Sequence, residues 1–134
     1  LETLWSLAMA LDVPVSRLIA QPRMHVQVIR ANEGIAAVSE QANYTATLLA
    51  ACPTGVQRDI YRINVQPGEL RRSRAHMPGT IEHVIIGSGK ARIGPVDQTV
   101  ELNAGDYISY SADVEHIFEA LAVDTTAVMM IEHT

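Results

Sequence analysis

The sequence predicts a mainly β protein: a single small antiparallel β-barrel preceded by two short helices. Three observations lead there. From Val26 onward, short runs rich in Val, Ile, Thr and Tyr alternate with Gly, Pro and Asn turn formers, and no helical pattern intervenes. Residues 1–20, LETLWSLAMALDVPVSRLIA, have the opposite character, with Leu4, Leu7, Ala8 and Leu11 at helical spacing. The length of 134 residues and the 48% hydrophobic content suit one domain with a core of its own, with or without an appendage.

The helical part breaks at Asp12 to Pro14, because Pro14 disfavours a helical conformation in Val13. Ser16 then suits the N-cap of a second short helix carrying Leu18 and Ile19. Helices this small cannot bury their apolar faces alone, so they are either an appendage of the barrel or the remnant of something larger. The expected division is residues 1–20 helical, 21–25 linker and 26–134 barrel. HVQVIRANEG and YTATLLAAC are the first expected strands, ended by Asn32 and Gly34 and by Pro53-Thr54-Gly55. RDIYRINVQPGE alternates, with Tyr61, Ile63 and Val65 on one face and Ile60, Arg62 and Asn64 on the other, and Pro67-Gly68 closes it. EHVIIGSGKARIG reads as a hairpin turning at Gly87-Ser88-Gly89. Gly94-Pro95 and Asn103-Ala104-Gly105-Asp106 mark further turns, and TAVMMIEH is a final strand, giving roughly eight in all.

The net charge of −5 argues against this stretch by itself binding a nucleic-acid backbone. Cys52 is the only cysteine, so no intrachain disulfide forms and a reducing compartment is expected. It follows the apolar run LLAA, which favours a buried core thiol over a nucleophile. No apolar run approaches the roughly 20 residues needed to span a bilayer. A signal peptide is also absent, although the chain starts at Leu1 rather than Met. The expected location is the cytoplasm.

Three residues carry the chemistry: His76, Glu82 and His116. They lie in two turn-rich stretches, HMPGTIEHVIIGSG and GDYISYSADVEHIFEA. Imidazole and carboxylate are ligands that divalent zinc, iron, nickel and manganese accept. Strand parity decides what shares a face. If Glu82 points inward, Val84 and Ile86 join it while His83 points out; His116, Val114 and Phe118 likewise share a face. A bulge near Pro78-Gly79 would slip the parity and turn His83 inward instead. Tyr61 and Tyr110 are the candidate ligand-lining residues, with the alternative that each is a core aromatic whose hydroxyl reaches a backbone partner. Glu101, Glu115 and Glu119 read as solvated faces, and His25 and His133 as solvated histidines. No catalytic acid or base is assigned.

The stretch from His76 to Ala120 resembles the two sequence motifs of the cupin superfamily. His76 stands at the first histidine of the first motif, Glu82 at its glutamate and Gly89 at its glycine; Gly105 and His116 match the glycine-to-histidine spacing of the second. Pro78 replaces the second histidine, Ser111 and Asp113 replace a proline and a glycine, and Ala120 replaces the final asparagine. The resemblance implies a jelly-roll barrel with three of four metal ligands kept. TLWSLAMALDVPVSRLIA in turn is similar to the last two helices of an XRE-type helix-turn-helix domain. On that likeness the recognition helix lies before Leu1, no base-contacting residue is assignable, and Trp5, Leu7 and Leu11 belong to the core of the missing bundle. The combination resembles bacterial regulators whose cupin senses a small-molecule effector. It implies a homodimer on operator DNA, a divalent metal held by His76, Glu82 and His116, and no catalysis. The competing expectation is a single-domain cupin metalloenzyme akin to non-heme iron dioxygenases, whose facial site is also two histidines and a carboxylate.

Overall fold

The computed structural model describes residues 2–12, 26–39, 43–50 and 57–133. Among these, one helix precedes ten strands: α1 (Glu2–Leu11), β1 (Ile35–Val38), β2 (Tyr44–Ala50), β3 (Arg58–Val65), β4 (Arg71–Ser73), β5 (Ile81–Ser88), β6 (Lys90–Pro95), β7 (Val100–Asn103), β8 (Tyr107–Ser111), β9 (His116–Ala120) and β10 (Thr125–Glu132). The mainly β expectation holds. The strands form two antiparallel sheets, of order β1-β2-β3-β10-β5-β8 and β4-β9-β6-β7. No ladder among the described residues joins them into one closed barrel. The second helix expected around Ser16, Leu18 and Ile19, the linker, His25 and Cys52 lie outside the described residues. No described helix is long and apolar enough to cross a membrane.

Period-two alternation builds the larger sheet. Tyr61, Ile63 and Val65 of β3, Ala127, Met129 and Ile131 of β10, and Val84 and Ile86 of β5 all point into one core. Ala91 and Ile93 of β6, Leu102 of β7, and Phe118 and Ala120 of β9 face them from the smaller sheet. Phe118 meets the Tyr44 ring edge-on at 5.5 Å, a favoured aromatic geometry between layers.

Two expected elements are corrected. HVQVIRANEG is no strand over its described part: Val26 and Val28 are exposed, and a turn closes through the Glu33 N–H to the Arg30 carbonyl at 3.0 Å. Its valines have no sheet to cover, and β-propensity without a partner surface does not make a strand. The first strand is instead Ile35–Val38, opposite Leu48–Thr45. EHVIIGSGKARIG is likewise no hairpin. Both edges of β5 are already taken, by β10 and β8, so β6 has none to pair with and enters the other sheet.

The crossing falls at Gly89, whose φ is +81°. A Cβ there would lie 2.4 Å from Thr125 Oγ1 and 2.8 Å from Thr125 Cα. Gly105, with φ +90°, has open space around the same position. Gly105→Ala is therefore expected to cost only the left-handed backbone penalty of about 1–2 kcal/mol. Gly89→Ala adds a backbone clash and should cost at least about 3 kcal/mol. Denaturant midpoints of the two variants check this; equal losses would show that the close approach to Thr125 does not matter.

Candidate metal centre

β5 carries Glu82 inward with Val84 and Ile86, as parity requires, and leaves Ile85 exposed. His83 faces outward, its Nδ1 2.7 Å from the Tyr107 hydroxyl. The bulge in this strand lies where β10 shifts register between Thr126 and Ala127, beyond Glu82 and not at Pro78-Gly79. Directly across the ladder from Glu82 stands Tyr110 of β8. Its hydroxyl donates to Glu82 Oε1 at 2.6 Å and leaves Oε2 to face the cavity.

His116 opens β9, buried alongside Phe118. Val114 does not share that wall: it precedes the strand and is exposed. Its carbonyl matters instead, accepting the His116 Nδ1–H at 2.8 Å. His76 comes from the loop between β4 and β5. Two backbone hydrogen bonds of 2.8 Å, His76 N–H to the Ala112 carbonyl and Ala112 N–H to the Thr80 carbonyl, hold that loop against the end of β8.

The three side chains converge on one point. His76 Nε2 lies 2.8 Å and His116 Nε2 3.1 Å from the same Oε2 of Glu82, and all three potential ligand atoms fall within 4.8 Å of one another. Glu82 is 2% and His116 4% exposed. Burial alone would raise the Glu82 pKa, yet hydrogen bonds from His116 and His76 and their charge hold it well below the usual carboxylate range. Burial likewise works to lower that of His116, but its bond to Glu82 and the carboxylate charge raise it overall. Burial first, then the Glu82 charge, push the Tyr110 phenol far up, so it remains a donor. With Nδ1–H committed to Val114, His116 can bond Glu82 only with a proton on Nε2 as well. That second proton stands where a cation would bind. Two imidazole nitrogens and a carboxylate oxygen in a buried pocket, with an outer carbonyl setting one tautomer, fit a borderline divalent metal.

Both tyrosines singled out in the sequence line the cavity: Tyr110 against Glu82, and Tyr61 with its hydroxyl 3.5 Å from the buried Asp59 carboxylate. Further lining residues were missed, among them three with aromatic or charged side chains. Trp5 of α1 stacks on His76 with ring centroids 4.7 Å apart and lies 6.2 Å from Tyr61, so it is a wall of this cavity. Tyr44 lines it from β2. Arg71 of β4, 7% exposed, lies over the Tyr44 ring at 5.7 Å and donates to Glu2 Oε1 and, at 2.9 Å, to Ser39 Oγ. A signal for it existed: three of the ten basic residues fall in Arg71-Arg72-Ser73-Arg74, just ahead of His76. His133, expected in solvent, is half-buried, and burial pushes its pKa down. Glu101, Glu115 and Glu119 stay on the outside, paired with Lys90, Arg72 and Arg92.

No family model matches the chain. It is 28% identical over 116 residues to the HTH-type transcriptional regulator SutR of Escherichia coli (strain K12), covering 87% of this chain and 61% of that protein. Solved structures share its fold, among them two from regulators. An HTH_3 family transcriptional regulator from Vibrio cholerae matches at a TM-score of 0.73 and 19% identity, over 98% of this chain and 71% of that one. The Cupin_2 domain of an XRE family transcriptional regulator from Enterobacter cloacae matches at 0.62 and 21% identity, over 69% of this chain and 97% of that one. The fold is a cupin, and the chain resembles the XRE-type regulators that carry one. Cupins are not all regulators: ectoine synthase from P. lautus shares the fold at a TM-score of 0.57 and 14% identity, over 71% of this chain and 67% of that enzyme. The chain spans 61% of the curated relative's length, so only that portion is compared.

The metal-free cupin should be most stable in mild acid. A depressed Glu82 contributes stability above its unfolded value of about 4.5, lost as pH falls through its lower folded value. A raised His116 contributes stability below about 6.5, lost as pH rises through its higher folded value. Denaturation with chelator across pH 3–9 is therefore expected to peak between those limits; a monotonic rise toward pH 9 would break the assignment. Tyr110→Phe leaves Glu82 Oε1 buried without its donor and should lower stability by about 1–3 kcal/mol at any pH in that window.

Proposed function

We propose that the chain is the effector-sensing part of a DNA-binding transcriptional regulator, with residues 1–20 the end of its helix-turn-helix domain, 21–25 a linker and 26–134 the cupin. The observation that carries this is the Trp5–His76 stack. The helix that resembles the end of a DNA-binding domain is also a wall of the candidate metal centre. Leu7 and Leu11 support the same reading: both stay exposed, at 48% and 56%, on the side of α1 away from Trp5, as residues covered by a neighbouring helical unit would be. The likeness to SutR supports regulation, and a cytoplasmic homodimer on operator DNA follows from that class.

In this reading His76, Glu82 and His116 hold a divalent metal, of which zinc, iron, nickel and manganese all accept such donors. The metal, when bound, offers open coordination positions to a donor atom of a small-molecule effector. The chain does the rest. Tyr110 orients the carboxylate, the Val114 carbonyl fixes the His116 tautomer, and Trp5 closes the cavity over His76. An effector that binds one placement of α1 better than another shifts the population of that placement, and with it the spacing of two DNA-binding units.

The donor set also favours a second reading, a cupin metalloenzyme of the non-heme iron dioxygenase type. Elemental analysis of protein prepared without oxygen, beside His116→Ala, tests both. The expected result is a folded variant whose metal affinity falls more than roughly a hundredfold, beyond what loss of an outer-sphere partner costs. Unchanged metal content in the variant overturns the site. Stoichiometric iron with effector-dependent oxygen consumption would establish the enzyme reading instead; zinc or nickel with effector-dependent operator binding would establish the sensor.

A further inference from the structure

Beside the metal centre a second cavity, of about 310 Å³, opens between α1 and β4. Its wall includes Arg71, Arg72, Arg74 and His76 from one side and Glu2 and Trp5 from α1. Arg71, Ser73, His76 and Trp5 line both cavities, so the two share a wall. In a chain of net charge −5 this is a concentration of positive charge, with three of its ten basic residues in four positions. Arg71 is held in place from several directions: only 7% exposed, lying over the Tyr44 ring, and bonded to Ser39 Oγ at 2.9 Å. Onto that guanidinium α1 delivers a carboxylate, Glu2 Oε1, which also accepts from Ser39 Oγ at 3.1 Å.

We propose that the effector is a small carboxylate, and that Glu2 occupies its subsite on Arg71 and Ser39 until the effector displaces it. The proposal deepens the sensor reading and rests on it. A planar guanidinium fork is matched to a carboxylate, and a lysine in its place would hold only a point charge. The Glu2 carboxylate already satisfies Arg71, so a free carboxylate gains affinity only by replacing it. Replacement releases the first turn of α1 from the β domain, at the end of the helix where Trp5 lies over His76. The cavity leaves room for the remainder of a four-carbon diacid, with Arg74 exposed on its wall. Binding and helix release are thus one exchange of partners on one side chain.

Trp5 is the chain's only tryptophan and reads the exchange directly. The test is titration of the 134-residue chain with succinate, followed by Trp5 emission at constant pH, beside Glu2→Gln, Arg71→Lys and the uncharged succinamide. Wild type should give a saturable change. Glu2→Gln, which weakens the internal competitor, should bind at least about threefold tighter. Arg71→Lys should weaken binding roughly ten- to a hundredfold while leaving the fold intact, and succinamide should have no effect. No saturable response in either wild type or Glu2→Gln overturns the proposal. So does a Glu2→Gln variant that is merely less stable and binds no tighter, since that marks the contact as a structural salt bridge. Saturation by inorganic phosphate but not succinate overturns the carboxylate assignment. The parent reading fails separately: succinate binding through Arg71 with no effect on operator binding by the whole regulator would keep the subsite and remove the sensor.

Discussion

A carboxylate is buried between two β-sheets, and the end of the domain where it sits is built around satisfying it. Glu82 lies on a strand whose other inward residues, Val84 and Ile86, are apolar. An ionised carboxylate there would be prohibitively costly without partners. The partners come from three separate places: Tyr110 from the adjacent strand of the same sheet, His116 from the opposite sheet, and His76 from a loop pinned to the end of β8. Each gives up freedom to reach Glu82, and together they tie the sheets at that end. Away from the polar end, at Gly89, the chain crosses between the sheets with no charge, by pressing its backbone onto Thr125.

This arrangement makes the polar node an exchangeable one. Hydrogen bonds from two imidazoles satisfy the carboxylate, and the same two nitrogens and one oxygen are the donor set proposed above for a divalent metal. The Val114 carbonyl and the Tyr110 hydroxyl orient these donors, so neither would have to move for a cation to bind. On that proposal, the metal-free and metal-bound forms would share one geometry. What would distinguish them is the cation, not a rearrangement of strands.

Much of the node was legible in the sequence because it rests on local rules. Strand parity puts Glu82 in and His83 out, and turn residues bracket the strands that carry Glu82 and His116. What the sequence hid is what depends on distant partners. Gly87-Ser88-Gly89 reads as a hairpin turn by any local rule, and only the occupation of both edges of β5 by β8 and β10 forbids it. Val26 and Val28 have strand-forming side chains and no sheet to lie on. Arg71 sits in a strand of three residues, too short to show a period, so its burial beneath α1 has no periodic trace. His133 looks terminal and solvated until Thr80 and the Gln57 carbonyl come up beside it.

The helix α1 shows why a wall of this site is also a lever. Two positions along a helix turn the side chain by roughly 200°. Trp5 and Leu7 therefore point to nearly opposite sides, and Ala8, three residues after Trp5, and Leu11, four after Leu7, continue the two stripes. One stripe is used by the cupin: Trp5 on His76, Ala8 buried, and Glu2 reaching Arg71 from the turn before. The other, Leu7 and Leu11, remains uncovered within the described residues. A ten-residue helix with an apolar stripe on each side cannot be stabilised fully by one neighbour. On the proposed reading it would belong to two units at once. Any ligand that alters how Trp5 and Glu2 sit on the cupin must therefore move the face that Leu7 and Leu11 present, because a rigid helix does not rotate one stripe without the other.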